Sequence, residues 1–432
     1  MPGKGGKKRS SAYGRKRAEL MSDDDSVNND ACSIGSGQSD NRSIMDDVNA
    51  NDSEVDEIAQ QEAMEDKLRE AIDGLNQKCA KSRTTCFNGV EKAFTLKYIP
   101  DFVEDRKMTI TDSIERALKK GRGEEQSAAA RLANLVCVQL GAFDSAEMIG
   151  KDLKTVFITT ANDKSNSPSA RADCYWALSM TQFLSGNDAA DTIEIMQLLL
   201  SVFYDSASVN LPAMQATVLS AWTLLLTLVA PSDVYNLINS DTTDTYMLSL
   251  NQLRDLLESP HLELRLAAGN ALAVIFELGR EYSDDDDDEV LEAMDLITIL
   301  KDLATDSNRH RAKKDRKQQK ANFRDILRYI EDDEFPELQV KFGHETLYLE
   351  DWCSRIQYAA CCRMLGSGLN IHLAENKLLR EIFALGERVL TPQSAQRRSN
   401  KHERSLLNAA AFKARTRQRN KNRDKRSAAL AS

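Results

Sequence analysis

A positively charged side chain occupies almost every second position from Lys413 to Arg426, near the end of the sequence. This stretch contains eight lysines and arginines, and Asp424 is its single acidic residue, so its net charge is +7. Ammonium and guanidinium groups in such a block are suited to ionic and hydrogen-bonded contact with phosphate. We therefore predict that the tail binds RNA. The predicted contact residues are Lys413, Arg415, Arg417, Arg419, Lys421, Arg423, Lys425 and Arg426.

The spacing of these cations limits the surfaces that they can contact. Residues two apart are separated by about 200° on an α-helix, so the charges surround the helix and leave no apolar face for a membrane. In a strand, the alternate cations would lie on one face, which suits a single phosphate backbone. A helix that is positive on all sides suits a channel walled by structured RNA. If all eight cations contact phosphate, log affinity falls with log salt at a slope of at most about −6.

A second basic patch precedes an amphipathic helix pattern. Asp315 is the one acidic residue among its seven lysines and arginines. We predict that this patch is a second RNA contact. His310 lies inside it and is interpreted as a solvated surface histidine, with assistance to the RNA contact as the alternative. The cations of the patch are Arg309, Arg311, Lys313, Lys314, Arg316, Lys317 and Lys320.

Basic blocks can also act as nuclear-import signals. For the block KKRSSAYGRKR, Lys7–Arg17, import is one of two interpretations that stay open. The tail favours RNA, because an import signal does not require regular alternation over its whole length. Neither block interleaves aromatic residues, so sequence-specific binding of single strands is not predicted.

No group of residues has the types and spacing of a catalytic or metal site. GKGG at Gly3–Gly6 lacks the spaced glycines and the Lys-Ser/Thr of a phosphate-binding loop, and GSG at Gly366–Gly368 predicts a helix break. The five histidines are scattered, with no Cys or carboxylate at ligand spacing. The acidic run Asp284–Glu289 predicts a solvated loop. We expect no enzyme activity, cofactor, metal or small-molecule substrate; a site assembled from distant residues is the enzymatic alternative.

The elements that must position the cations are predicted to be repeated helices. Five segments align in register, with a small residue six positions after each start and an apolar residue next. Their starts are 40 to 50 residues apart, close to the period of about 40–47 in HEAT and armadillo repeats. The pattern predicts an all-α, armadillo/HEAT-like α-solenoid, with a bundle of unrelated amphipathic helices as the alternative. The segments begin at Arg83, Arg131, Arg171, Gln215 and Arg265.

Composition and patterning divide the chain into four predicted parts. Residues 1–53 form a disordered arm, basic and then acidic, because they have too few apolar side chains to offset the entropy of ordering. Residues 54–305 form the repeat domain, and residues 396–432 form a basic C-terminal helix or tail. Between them, residues 306–395 form a small helical module that carries the basic patch and is expected to cap the solenoid. Alternation around Gly343 predicts a short hairpin in this module.

Apolar segments and cysteines indicate where in the cell the protein acts. The formal net charge of the whole chain is −10. The apolar run Val218–Ala230 is too short to span a bilayer, and no apolar stretch follows the basic start to make a signal peptide. The eight cysteines form no C-x-x-C pair, which favours reduced thiols. We expect a cytoplasmic protein without a membrane partner and, if the import signals act, a nuclear pool. Four cysteines are predicted to be buried: Cys79, Cys86, Cys137 and Cys174.

Four separated segments occur in the order seen in one known family. They are RKMTITDSIERALKKG from Arg106, LATDSNRHRAKKDRKQQKANFRDILR from Leu303, KFGHETLYLEDW from Lys341 and NAAAFKARTRQRNKNRDKR from Asn408. Together they resemble the interferon-related developmental regulator family, and the last segment is nearly the whole C-terminal signature of that family. The resemblance covers the chain from about residue 60. The arm and the acidic run resemble nothing in the family.

This resemblance implies an armadillo-like fold without enzymatic activity. Family members are implicated in ribosome binding, with a C-terminal helix in the messenger path of a non-translating ribosome and the body at the tRNA sites. Other members are described as transcriptional co-regulators that act in differentiation with histone deacetylase complexes. On this chain, the inserted helix would be about Leu406–Arg426. We expect a repressor of translation that contacts ribosomal RNA and ribosomal proteins; the alternative is a nuclear scaffold that binds chromatin regulators.

Overall fold

The computed structural model describes residues 52–141, 144–186, 188–205, 211–238, 246–282, 294–305 and 312–387. These residues are almost entirely helical, so the predicted all-α class is confirmed. The helices are α1 (Asp52–Gly74), α2 (Ala80–Leu96), α3 (Pro100–Glu104), α4 (Lys107–Lys120), α5 (Glu124–Leu140), α6 (Asp144–Asn162), α7 (Pro168–Ser185), α8 (Ala189–Tyr204), α9 (Pro212–Leu226), α10 (Pro231–Ile238), α11 (Leu250–Leu257), α12 (Leu262–Tyr282), α13 (Met294–Thr305), α14 (Lys313–Asp332), α15 (Trp352–Leu365), α16 (Leu369–Glu375) and α17 (Lys377–Ile382). The strands are β1 (Leu338–Phe342) and β2 (Glu345–Leu349).

The helices stack in two rows, as in a solenoid. We call α2, α5, α7, α9, α12 and α14 the central row, because each of these helices packs on the next. The helices α1, α4, α6, α8, α11 and α13 form the second row, and each packs on the central-row helix that follows it in the chain. This arrangement confirms the predicted helical-repeat fold.

The five segments aligned in the sequence lie in the first five helices of the central row. The apolar position of the pattern is buried in all five helices. The small position is buried in four of them, whereas Gly89 is exposed in α2, which stands first in the row. The buried small residues are Cys137, Ala177, Ala221 and Ala271, and the apolar residues are Val90, Val138, Leu178, Trp222 and Leu272.

Local capping signals explain several helix starts. The Ser167 hydroxyl accepts a hydrogen bond from the backbone N–H of Ala170 at the start of α7. At the start of α15, the Asp351 carboxylate accepts one from the backbone N–H of Ser354, with an N···O distance of 2.5 Å. Each bond satisfies a donor that the helix itself leaves unpaired. None of the described helices combines the length and apolar content needed to cross a membrane.

The middle of the central row is buried on nearly every side. In α5, every residue from Glu125 to Leu140 except Arg131 is buried. Two rows of helices cannot bury a helix in this way, because one face of the central row would remain in solvent. A third layer must therefore cover that face.

Residues 338–387 form the third layer. The strands β1 and β2 pair antiparallel, with Phe342 opposite Glu345, and Gly343 turns between them with φ of +55°. The predicted hairpin is therefore confirmed, as is the helix break at Gly366–Gly368, which is a single 3-10 turn. The helix α15 then crosses the central row and contacts α12, α9, α5 and α2.

The expected position of the C-terminal module was wrong for most of its residues. Its first helix, α14, ends the central row, but residues 338–387 do not cap the array and run back along it, from α12 to α2. The physical reason is that α5, α7 and α9 are apolar on several faces, so the largest unburied apolar surface lies along the row and not at its end.

The cysteines differ in burial. Cys137 and Cys174 are buried, and burial raises the pKa of each thiol to about 12. Cys86 is half-buried, and Cys79 is exposed at the start of α2, so the prediction of a buried thiol is wrong for Cys79. The sequence placed it inside an apolar helix, but it precedes the first helical residue. All seven described cysteines are free thiols.

Candidate nucleic-acid interface

One side of α14 carries five positively charged side chains in a line. Successive members are three or four residues apart, so they fall within an arc of about 80° at 100° per residue. Four of them are exposed, and Lys320 is half-buried. We call this set the basic stripe; its members are Lys313, Lys317, Lys320, Arg324 and Arg328.

Apolar and polar contacts fix the orientation of α14. Phe323 and Ile326 are fully buried, which confirms the amphipathic pattern of this helix. Both lie close to Gly269 of α12, where a Cβ atom would be 2.7 Å from the Phe323 ring. The buried Gln319 accepts hydrogen bonds from the Arg265 guanidinium, the shorter with an N···O distance of 2.7 Å. These contacts hold one side of α14 against α12 and leave the basic stripe facing solvent.

The cations of the basic stripe have no acidic partners in the part of the chain that the structure describes. No carboxylate of the described residues forms an ion pair with any of these five side chains. Two of the four acidic residues of α14 pair with other elements instead: Asp325 with Arg355 at 3.2 Å and Glu331 with Lys301 at 2.6 Å. The charge of the stripe is therefore available to an anionic partner.

The structure places part of the predicted basic patch. Lys313, Lys314 and Lys317 are exposed, and Lys320 is half-buried. Arg316 is also half-buried, and its Nε atom is buried without a hydrogen-bond partner. Arg309, Arg311 and His310 lie outside the described residues. So do residues 1–51 of the N-terminal arm, the acidic run Asp284–Glu289 and all eight predicted cations of the tail.

Sequence reasoning missed Arg324 and Arg328. The predicted patch ended at Lys320, where the dense run of cations ends. The signal that could have found the two arginines is spacing, since each continues the line at intervals of four residues.

Hydrogen bonds fix the third layer to the central row. The Glu277 carboxylate of α12 accepts bonds from the backbone N–H groups of Trp352 and Cys353, with N···O distances of 2.7 and 2.8 Å. Burial raises the pKa of Glu277, although these bonds partly oppose the shift. Farther along, the Asn376 side chain donates to the carbonyl oxygen of Val138 at 2.8 Å. The layer is thus attached at α12 and α5.

His372 provides an attachment at α2. Its ring is fully buried, and Nε2 lies 3.0 Å from the carbonyl oxygen of Phe94, to which it donates in the neutral form with the proton on Nε2. Burial lowers the pKa of His372, and bonds to the carbonyl oxygens of Phe94 and Thr95 oppose this shift in part. The contact is therefore made by a neutral imidazole.

Acidification is expected to weaken the fold through His372. The unfolded histidine has a pKa of about 6.5, so the unfolded chain binds the proton first as the pH falls. The contribution of the buried, neutral His372 to the free energy of unfolding is fully present above this pH and decreases below it. We expect a lower urea midpoint at about pH 5.5 than at about pH 7.5, and a smaller decrease in His372→Gln. Glu277 is present in both the parent chain and His372→Gln, so its contribution to the pH dependence cancels when the two are compared. An equal decrease in the urea midpoint in both proteins would contradict the assignment of this effect to His372.

Arg380 connects the third layer to the last described residues. It is buried, and its guanidinium pairs with the Glu345 carboxylate of β2 at 2.7 Å. The same group donates to the carbonyl oxygens of Leu373, Leu385, Gly386 and Glu387. Arg380 thereby fixes residues 385–387 to the third layer.

The described residues offer little support for a catalytic or metal site. They include no group of three His, Cys, Asp or Glu side chains that could hold a metal ion. An open depression of about 350 Å³ lies beside Lys92, Arg131 and Ser367. Arg131 is already paired with Glu91 and Glu124 there, so its charge is balanced within the protein. The arrangement that stands out chemically is the basic stripe, which can bind phosphate.

Two family models match the chain. The model described as interferon-related developmental regulator matches residues 31–331, and the model described as interferon-related protein conserved region matches residues 376–427. The first match is wider than the resemblance seen in the sequence, since it begins inside the N-terminal arm and spans the acidic run. The second contains all the predicted cations of the tail.

Similar proteins are found in mammals and in a yeast. Interferon-related developmental regulator 2 of Mus musculus is 38% identical over 384 residues, which cover 86% of this chain and 85% of that protein. Interferon-related developmental regulator 1 of Sus scrofa is 38% identical, with 86% and 83% covered. An uncharacterised protein of Schizosaccharomyces pombe is 25% identical over 394 residues, with 84% and 82% covered. The length of the model match and the identity to the mammalian proteins show that the chain belongs to the interferon-related developmental regulator family.

Proposed function

We propose that this protein is a non-enzymatic regulator that binds inactive ribosomes and represses translation. In this proposal, the basic helix at about Leu406–Arg426 enters the messenger path, and the body contacts ribosomal RNA and ribosomal proteins. The mammalian relatives are named as developmental regulators, which supports a regulatory role in differentiation. We place this action in the cytoplasm.

The observation that carries the proposal is the charge of the tail. Lys413–Arg426 has a net charge of +7, and it lies within residues 376–427, which match a conserved region of the family. A stretch charged on all sides gains affinity from each phosphate that surrounds it, because every contact releases counterions. The walls of a channel through structured RNA offer many such contacts.

The anchoring of the third layer supports a steric mechanism. Arg380 holds the carbonyl groups of residues 385–387, so the tail continues from a fixed place on the body. A tail tethered to a bound body acts at a high effective concentration. Two weak contacts can then give stable occupancy, the body holding the position and the tail blocking the path.

Removal of the tail is expected to abolish ribosome binding. A chain that ends after Ala411 lacks all eight predicted cations of the tail. Sedimentation with purified ribosomes at low salt should show the full chain in the ribosome fraction and the truncated chain in the supernatant. High salt should release the full chain, because phosphate contacts weaken as salt rises.

A charge-preserving variant controls for loss of the polypeptide itself. Exchange of every lysine and arginine of Lys413–Arg426 for the other residue keeps the net charge and should retain sedimentation. Replacement of the same residues by glutamine should behave like the truncation. If the truncated chain sediments with ribosomes as completely as the full chain at every salt concentration, the tail is not the binding element and the proposal fails.

The competing proposal is a nuclear scaffold that binds chromatin regulators on the solenoid surface. Helical repeat proteins commonly bind partners along the face of one row of helices. Here the third layer covers that face of the central row, with α15 in contact with α12, α9, α5 and α2. A partner would have to displace this layer, so the covered face favours the ribosome proposal. On the scaffold proposal, truncation after Ala411 leaves ribosome sedimentation unchanged.

A further inference from the structure

We infer that the basic stripe is a binding edge for the phosphate backbone of double-helical RNA, and that it continues beyond Lys320 through Arg324 and Arg328. This inference deepens the proposed function, on which it rests, because it assigns the body its own RNA partner. It also leaves Arg316 outside the stripe, because that position lies about 40° beyond the arc of the five cations and its Nε atom is buried.

The dimensions of the stripe fit a duplex. Lys313 and Arg328 are 15 residues apart, which corresponds to about 22 Å along the helix axis. Double-stranded DNA carries about one negative charge per 1.7 Å, so a nucleic-acid duplex of this length presents on the order of a dozen phosphates or more. Successive cations of the stripe are about 5–6 Å apart along the axis, and each can reach a different phosphate.

The stripe lacks the ion pairs that exposed lysines form on two other helices, α4 and α6. In α4, Lys119 pairs with Glu115, and in α6, Lys151 pairs with Glu147, each at a spacing of four residues. Such pairs are the usual arrangement of a solvated helix face. On α14 each cation of the stripe has another lysine or arginine four residues away, and like charges at this spacing repel one another and weaken the isolated helix. Asp332 lies four residues after Arg328, but the two side chains form no ion pair within the described residues. An arrangement that is unfavourable by itself is explained by an anionic partner.

The surroundings of the stripe favour a rigid duplex over other anionic partners. Single-strand binding sites stack bases on aromatic side chains, but the aromatic residues of α14, Phe323 and Tyr329, are buried. A membrane-binding helix needs an apolar face beside its cations, and the apolar face of α14 is packed on the central row. The bonds of Gln319 to Arg265 hold α14 in place, and a fixed line of charges suits a partner with fixed phosphate spacing.

The test uses the full chain with the eight tail cations replaced by glutamine, so that binding reports the body. Into this background we would introduce Lys317→Gln, Lys320→Gln and Arg324→Gln together. The matched control is Lys81→Gln, Lys92→Gln and Lys120→Gln, which removes the same charge from exposed positions of α2 and α4. The probe is a short RNA duplex, and its Kd is measured over a range of salt concentrations. Equal thermal unfolding of the variants excludes a folding defect.

The stripe variant is expected to bind the duplex about tenfold more weakly than the control. The slope of log affinity against log salt should become shallower by about 2.7, since each phosphate contact contributes roughly 0.9. Arg324→Gln alone should weaken binding about twofold or more, because Arg324 lies within the stripe although outside the dense basic run. Equal affinity and slope in the stripe variant and the control would overturn the inference.

Competition experiments separate the partner classes. A single-stranded RNA of the same length, an acidic peptide or vesicles of anionic lipid should each displace the duplex poorly. If any of them competes as well as unlabelled duplex, the assignment to double-helical RNA is overturned. Failure here is distinguishable from failure of the proposed function, because the latter is tested by tail truncation on ribosomes in a chain with an intact stripe.

Discussion

Arg380→Met is expected to lower the free energy of unfolding by about 3–5 kcal/mol, as is typical when one partner of a buried ion pair is removed. The side chain has a relative exposure of 5%. Its loss leaves the Glu345 carboxylate without its cation, and four backbone carbonyl groups lose a charged donor. Methionine fills a similar volume, so the change removes hydrogen bonds and charge with little cavity. Chemical denaturation of the full chain, with and without the substitution, would measure this difference in the free energy of unfolding.

Lys377→Met is the matched control for Arg380→Met. Lys377 is exposed on the same helix, α17, three residues earlier, and its substitution should change stability by less than about 0.5 kcal/mol. The Arg380 variant should also show faster proteolysis near residues 385–387, whose carbonyl groups the guanidinium holds. A loss of stability equal to that of the control would show that Arg380 contributes no more than a surface cation.

Gly368→Ala is expected to destabilise the protein by about 3 kcal/mol, the upper part of the range for overpacking. The position lies in the 3-10 turn between α15 and α16, where a Cβ atom would overlap the carbonyl oxygen and carbon of Thr95 in α2. The φ angle of Gly368 is −86°, so the cost comes from close packing and not from backbone conformation. A backbone carbonyl cannot move aside as a side chain can. The third layer must therefore shift away from α2.

Gly89→Ala gives the opposite expectation and serves as the control. Gly89 lies inside α2, and a Cβ atom there meets no other atom within 4 Å. Alanine should stabilise the helix by about 0.5–1 kcal/mol. Thermal unfolding should rank Gly89→Ala above the parent and Gly368→Ala well below it. The decrease in stability on acidification that is assigned to His372 should also be smaller in Gly368→Ala, because the imidazole loses its buried contact with Phe94. If Gly368→Ala changes neither the stability nor its pH dependence, Gly368 is not closely packed against Thr95.

The repeat was predictable because its signal is local and recurs. A small residue followed by an apolar one marks each of the first five helices of the central row, and burial of Cys137, Ala177 and Ala221 shows why. The hairpin was predictable for a similar reason, since alternation on both sides of Gly343 is contained within a few residues. The third layer was not, because its contacts join distant parts of the chain. Asn376 and Val138, for example, are 238 residues apart.

The candidate interface was predictable in composition and only partly in membership. Of the basic stripe, charge density in the sequence found Lys313, Lys317 and Lys320. It also included Arg316, because density does not record which side of a helix a residue occupies. Conversely, it omitted Arg324 and Arg328, which are separated by uncharged or acidic neighbours but lie on the same side of α14. Once the buried side of α14 is known, helical spacing places Arg316 outside the line of exposed cations and places Arg324 and Arg328 in it.

The path of the third layer has a consequence for synthesis of the protein on the ribosome. Central-row helices emerge and stack in chain order, since each needs only its neighbours. Their covering segment is made last, and its bond from His372 to Phe94 spans 278 residues. Until the last helices have been synthesised, the face of the central row that the third layer covers is therefore exposed. This apolar surface can then bind chaperones or aggregate. Once the distant contacts of the third layer have formed, the repeats should no longer unfold separately. The whole domain should unfold in a single cooperative transition.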